Sequence, residues 1–243
     1  MARRFGVWVC LLILGVMEQL QAQESPGQGR LFSVIVKGNI TTSSQISPDP
    51  AAADPLLLAQ PDAGRYTLDS YYGYGVEVRY RFSESNVAIG LSSDYIQTSL
   101  DRSFQPARGA AIPAHDSFTM IPVELTGYFI IPASTRVVEI IMGGGVGTYF
   151  GRHAFRMGNT NADPVSMKPG FGIHVLGGVG YKFTDRFSLT AEMKFRDLQF
   201  KSVNAFAGKT IIYNGVRITI PQQLDENIHA DGMVFQLGAA FSF

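Results

Sequence analysis

The chain has 243 residues, with 20 Lys plus Arg against 20 Asp plus Glu and a formal net charge of zero. That balance gives no basic field of the kind that drives nucleic-acid binding. Charged residues make up 16%, below the roughly one quarter usual for soluble proteins. Yet no apolar run approaches the ~18 residues that a membrane-spanning helix needs. Low charge without such a helix fits strands, because alternation spreads apolar residues thinly along each one.

The first residues read as a secretory signal peptide over 1–22. Arg3 and Arg4 precede an apolar stretch from Phe5 to Val16, and Leu20-Gln21-Ala22 is a passable cleavage site. The mature chain, 23–243, then starts at Gln23 as one all-β domain. Cys10, the only cysteine, lies inside the apolar stretch, and Val-Trp-Val before it is no lipidation signal. Disulfides and thiolate metal sites are therefore excluded from the mature chain.

Beyond a polar leader, eight segments alternate with a period of two. The first is Leu31 to Thr41, with Phe32, Val34, Val36 and Ile40 opposite Ser33, Lys37 and Asn39. Thr42 to Arg65, rich in Pro, Ala and Asp, reads as a loop. In the second, Tyr72, Tyr74, Val76, Val78, Tyr80 and Phe82 alternate with Gly73, Gly75, Glu77, Arg79 and Arg81. A tight turn at Ser83-Glu84-Ser85 leads into the third, Val87 to Tyr95. Ser99 to Asp116 reads as another loop.

The fourth segment runs from Ser117 to Ile131, with Glu124 and Tyr128 opposite the apolar face. The fifth runs from Arg136 to Gly151, with Glu139 and three glycines opposite Val138, Ile140, Met142 and Val146. Arg152 to Pro169 is the third long loop. The sixth, Phe171 to Phe183, places His174 and Lys182 opposite the aromatics. The seventh, Phe187 to Arg196, sets Glu192, Lys194 and Arg196 against Leu189, Met193 and Phe195. Leu198 to Asp231 is the fourth long segment. Within it Asn214-Gly215 joins Thr210–Tyr213 to Val216–Ile220, a strong hairpin signal. Its arms are too short to span a membrane, so the hairpin is placed above it, although counting it would give ten strands. In the terminal strand, Met233, Phe235, Leu237, Phe241 and Phe243 face away from Gln236, Gly238 and Ser242.

Connections that alternate long and short belong to an up-and-down barrel. The glycines sit mainly on the charged face, where a crowded interior leaves little room. That puts the charges inside and the apolar face toward lipid. The expected fold is an eight-stranded antiparallel up-and-down transmembrane β-barrel.

Residues 31–243 resemble the outer-membrane β-barrel domain of OmpA/OmpX-type proteins. The resemblance is carried by Gly143-Gly-Gly-Val-Gly-Thr-Tyr149, by Gly177-Gly-Val-Gly-Tyr-Lys-Phe-Thr-Asp-Arg-Phe187 and by the C-terminal strand. It implies a bacterial outer-membrane location, outer-membrane lipids as partners, and an assembly signal at Phe241 and Phe243 read by the barrel-assembly machinery. It implies no particular activity, since members of the class act as stabilisers, adhesins, small pores and lipid enzymes. No periplasmic domain follows the barrel here, so peptidoglycan anchoring is not expected.

The inward face carries Lys37, Glu77, Arg79, Arg81, Asp94, Glu124, Glu139, Lys182, Glu192, Lys194 and Arg196. In so narrow a lumen the expectation is a filling network of ion pairs, because unpaired charges there are costly. The alternative is a narrow passive pore in which Glu124, Glu139 and Arg79 exchange partners. Strand-end aromatics such as Tyr72, Tyr80, Phe183 and Phe187 suit interfacial girdles. His115 and Ser117, two apart on the outward face, are the one catalytic candidate. A lipid acyl hydrolase could place an imidazole and a hydroxyl there, but no third member is evident. The four histidines lack ligand spacing, so no metal or other cofactor is expected. The expected role is structural or surface interaction rather than catalysis, with the long loops open to an extracellular ligand.

Overall fold

The computed structural model describes residues 31–42, 44–48, 66–68, 70–104, 111–167, 169–206, 210–214, 216–219, 223–229 and 232–243. The expected signal peptide, the polar leader, most of the first long loop and Gly215 of the hairpin lie outside these residues. Among the described residues the chain forms fourteen strands and no helix. They are β1 (Phe32–Thr41), β2 (Ser44–Pro48), β3 (Tyr66–Leu68), β4 (Tyr71–Arg81), β5 (Val87–Phe104), β6 (Ile112–Ile130) and β7 (Val138–Met157). Then come β8 (Thr160–Met167), β9 (Gly170–Lys182), β10 (Phe187–Phe206), β11 (Thr210–Tyr213), β12 (Val216–Thr219), β13 (Gln223–His229) and β14 (Gly232–Ser242).

Eight of them close a ring. β1 pairs with β4, β4 with β5, β5 with β6, β6 with β7, β7 with β9, β9 with β10 and β10 with β14, all antiparallel. β14 then pairs with β1 from Ser33↔Ser242 to Thr41↔Val234, and Phe243 N–H donates to the Phe32 carbonyl at 2.9 Å. No backbone edge is left facing hydrocarbon, where an unpaired N–H or C=O is costly. The ring count is eight. The hairpin β11–β12 forms a separate two-stranded sheet outside it, and its Asn214 adopts φ 48°, as the Asn-Gly turn requires.

The long connections differ from expectation. Three of the four are largely strand, and the other holds strand at both ends. β5 and β6 stay paired up to Phe104↔Ile112, and β7 continues to Met157 before Gly158 turns the chain into β8. β8 takes over from β9 beside β10, β13 pairs with β10 beyond β14, and β2 and β3 extend β1 and β4. The barrel wall thus rises past the membrane as an extended sheet.

The reason the sequence hid this lies in the side-chain phase. Along β7 the outward residues Ile140, Met142, Val146 and Phe150 are apolar and exposed, and Glu139 points inward. From Arg152 the pattern inverts. Arg152, Ala154 and Arg156 are exposed, while His153, Phe155 and Met157 are buried inside. β6 does the same, with Ile112, Ala114, Phe118 and Met120 buried below its polar outer residues. A strand that leaves lipid for water keeps its pleat but exchanges the solvent on its outer face, so the apolar side must turn inward. An alternation of constant phase describes only the membrane-spanning part.

Glycines on the inner face let strands approach. A Cβ on Gly145 would fall on the Leu125 carbonyl oxygen of the neighbouring strand, a contact that no side chain can make. One on Gly38, which faces outward, would meet nothing within 4 Å. Gly145→Ala is therefore expected to lower stability by roughly 1–3 kcal/mol through backbone displacement. Gly38→Ala should be neutral or slightly stabilising. Urea unfolding of the barrel in lipid vesicles compares the two, and equal losses would refute the packing argument.

Candidate functional site: the charged lumen and the outer face

Strand parity aims the lumen charges, and register decides which ones meet. They form three tiers. At the mouth beside the short turns, Lys182 Nζ and Arg81 Nη1 both donate to Glu139 Oε1, at 2.6 and 2.8 Å. These three are only partly buried. They line a cavity of about 760 Å³ whose other walls include Ser33, Tyr128, Arg136 and Ser242.

The second tier is deeper. Arg79 spans the lumen, donating from Nε to Glu77 Oε1 and from Nη2 to Glu192 Oε1, both at 2.8 Å. Its guanidinium lies 3.8 Å from the Tyr128 ring centroid, and the Tyr128 hydroxyl donates to Glu77 Oε1 at 2.8 Å. Lys37 Nζ donates to Glu77 Oε2 at 3.1 Å and stands 3.9 Å from Asp94 Oδ1. It therefore links this tier to the next.

The third tier is centred on Glu124, which is fully buried. Lys194 Nζ donates to its Oε2 at 2.6 Å. Arg196 Nε and the Tyr149 hydroxyl donate to its Oε1 at 2.7 and 2.9 Å. Arg196 Nη2 continues to Asp94 Oδ2 at 2.8 Å. In the two inner tiers four cations, Lys37, Arg79, Lys194 and Arg196, face four carboxylates, Glu77, Asp94, Glu124 and Glu192. The buried charge sums to zero.

Every expected lumen residue thus faces the interior, but not at one depth. Glu139 belongs to the mouth and Glu124 to the third tier, and Arg79 contacts neither. Tyr128 and Tyr149 complete the network. Their inward parity was legible, but their part in it was not. Two of the histidines are buried in the interior: His174 on the inward face expected for it, and His153 in a segment that reads as a loop. His174 is buried, with Nε2 2.9 Å from the Thr126 hydroxyl. His153 is buried and stacked on Phe118, with ring centroids 4.2 Å apart.

Above the third tier the β4–β7 side of the interior turns apolar. Tyr71, Ile96, Met120 and Tyr149 form a buried cluster across four strands. On the outside, Tyr74 and Tyr95 lie 5.6 Å apart at the outer edge of the apolar band, and Tyr181, Phe183 and Phe187 contact one another near the short turn. Both positions suit the girdles. Phe241 and Phe243 are ring neighbours at 5.4 Å, on the strand that closes the ring.

His115 and Ser117 face outward beyond the apolar band, and β5 supplies a group that sequence reasoning missed. Asp101, directly opposite His115, holds its Nδ1 at 2.6 Å. Ser117 stands opposite Ser99, and no hydrogen bond joins it to His115 among the described residues. The fourteen-residue separation of Asp101 from His115 is visible only once the hairpin register is known.

A closed antiparallel ring with a lipid-compatible exterior and a charged interior defines an integral outer-membrane barrel. The chain belongs to the outer membrane protein beta-barrel domain family, whose model matches residues 9–243. The family implies the bacterial outer membrane. Among solved structures the outer membrane protein OprG from Pseudomonas aeruginosa is similar, at 16% identity and a TM-score of 0.56, covering 90% of this chain and 99% of that one. Ail, the attachment invasion locus protein of Yersinia pestis, matches at 13% identity and a TM-score of 0.40, over 88% of this chain and 99% of that one. OmpW of Escherichia coli matches at 13% and 0.43, over 89% and 100%. OprG supports the fold alone. No curated protein sequence matches the chain.

Arg196→Met should be severely destabilising, by about 3–5 kcal/mol, because it removes the one donor hydrogen-bonded to Asp94 among the described residues and leaves the dry inner tiers one cation short of their carboxylates. Arg81→Met, at the wet mouth, should cost no more than about 1 kcal/mol. Urea midpoints of the two refolded variants test the tiers, and a larger loss for the mouth variant would contradict them.

Proposed function

We propose that the protein is a closed structural barrel of the outer membrane, whose lumen is a plug and whose extended outer wall is its working surface. The carrying observation is the third tier. Glu124 is fully buried and takes donors from Lys194, Arg196 and Tyr149 at once. A charge satisfied on every side has no reason to admit a solute, and separating it from its partners inside so narrow a lumen costs several kcal/mol. A second barrier, the apolar cluster of Tyr71, Ile96, Met120 and Tyr149, lies above it. In this reading residues 1–22 are removed on export, and Phe241 and Phe243 present the closing strand to the assembly machinery. Lipid and a ligand at the outer rim are the partners.

Ion conductance of refolded residues 23–243 in a planar lipid bilayer tests the plug. An inserted but silent barrel is the expected result. Discrete, reproducible steps from the unmodified protein would replace this reading with the narrow pore.

A further inference from the structure

Two arginines on the outer wall belong to none of the tiers. Arg152 and Arg156 lie on the outward face of β7 and are exposed, and neither forms an ion pair or a side-chain hydrogen bond among the described residues. Their level can be worked out from the strand. The apolar outward residues of β7 run from Val138 to Phe150. Twelve residue steps cover about 40 Å of strand, or about 30 Å of membrane height at a tilt near 40°, which is the thickness of a bilayer's hydrocarbon core. Arg152 is the next outward residue after Phe150. It therefore stands where the hydrocarbon ends, and Arg156 stands two pleat repeats further outward, past Ala154.

The surroundings at that level are small and polar. Thr119 is opposite Arg152, Ser117 is opposite Ala154, and His115 is opposite Arg156. The two guanidinium-bearing positions are about 13 Å apart along the strand, with the low saddle of Ala154 and Ser117 between them. Across from this patch, the one facing acid on β5 is engaged, since Asp101 holds His115 Nδ1. Asp197, an outward acid on β10, is two strands away. Arg152 and Arg156 are the described cationic positions of the outer β6–β7 face.

We infer that this face is a docking site for the phosphate-bearing headgroup of an outer-leaflet lipid, with Arg152 and Arg156 each taking a phosphate. Guanidinium groups fit phosphate oxygens in a planar, two-pronged geometry, and the hydroxyls of Thr119 and Ser117 can donate alongside. The lipid is the source of the phosphate because the patch continues the lipid-facing surface without a break. The acyl chains of a docked lipid would lie against Phe150, Val146 and Ile121 below it. The inference depends on the membrane placement of the barrel and is independent of the plug, so a conducting barrel would leave it standing.

Native mass spectrometry of refolded residues 23–243 in detergent micelles, titrated with dioleoyl phosphatidic acid, tests it. Wild-type protein should retain one or two lipids, with much weaker retention of dioleoyl phosphatidylcholine. Arg152→Gln with Arg156→Gln should weaken retention about thirtyfold, at roughly fivefold for each arginine. Arg186→Gln, on the short turn at the opposite rim, should leave it unchanged. Arg152→Lys with Arg156→Lys should restore part of the loss and shows that the positions are tolerated. Equal retention by the double Gln variant, or an equal loss from Arg186→Gln, would overturn the site. Displacement by millimolar inorganic phosphate would show that the patch reads free anions and not a lipid.

Discussion

The structure depends on one constraint, that no backbone N–H or C=O may meet hydrocarbon unpaired. The pairing of β14 with β1 satisfies it, and the rest follows from that closure. Closing eight strands fixes a lumen about as wide as the side chains that fill it. Strand alternation then commits every second residue to that lumen. The chain cannot leave the space empty without losing contacts, nor fill it with apolar groups where the opposite end opens to water. Pairs of opposite charge, with glycines where the wall must come close, are the solution found here.

Within the lumen the charges differ in what they do. The mouth tier is wet, and Arg81, Glu139 and Lys182 could be exchanged for other polar groups at little cost. The inner tiers are dry, and their neutrality is a condition of folding. Lys37, between Glu77 and Asp94, makes them one network in place of two. Tyr128 and Tyr149 serve as hydroxyl donors that carry no charge, which lets Glu77 and Glu124 be saturated without adding a fifth and sixth cation.

Much of this was legible in the sequence. The period of two placed Glu77, Arg79, Glu124, Glu192, Lys194 and Arg196 on the inner face, and the Asn214-Gly215 pair announced its hairpin. What was hidden depends on register. That Arg196 reaches both Asp94 and Glu124 requires the stagger of three strands. That Asp101 meets His115 requires a hairpin paired through what looked like a loop. Ser99 to Asp116 and Arg152 to Pro169 read as loops, and they contain Pro113 and Pro164, a residue that weakens a ladder. Both are held in strands, each at a position its neighbours tolerate.

The inversion of phase at Arg152 has a consequence for how the barrel can work. Below that level β6 and β7 point charges inward and apolar groups outward; above it they point Phe118, His153, Phe155 and Met157 inward and polar groups outward. On the β4–β7 side of the interior, the packed Tyr71, Ile96, Met120 and Tyr149 lie directly against the saturated ion network of the third tier. Tyr149 belongs to both layers, packing in the upper cluster while its hydroxyl donates to Glu124. Opening either barrier would disturb the other. If the lumen is the plug proposed above, the free chemistry of the barrel lies on its outer surface, where arginines and hydroxyls stand at the edge of the lipid.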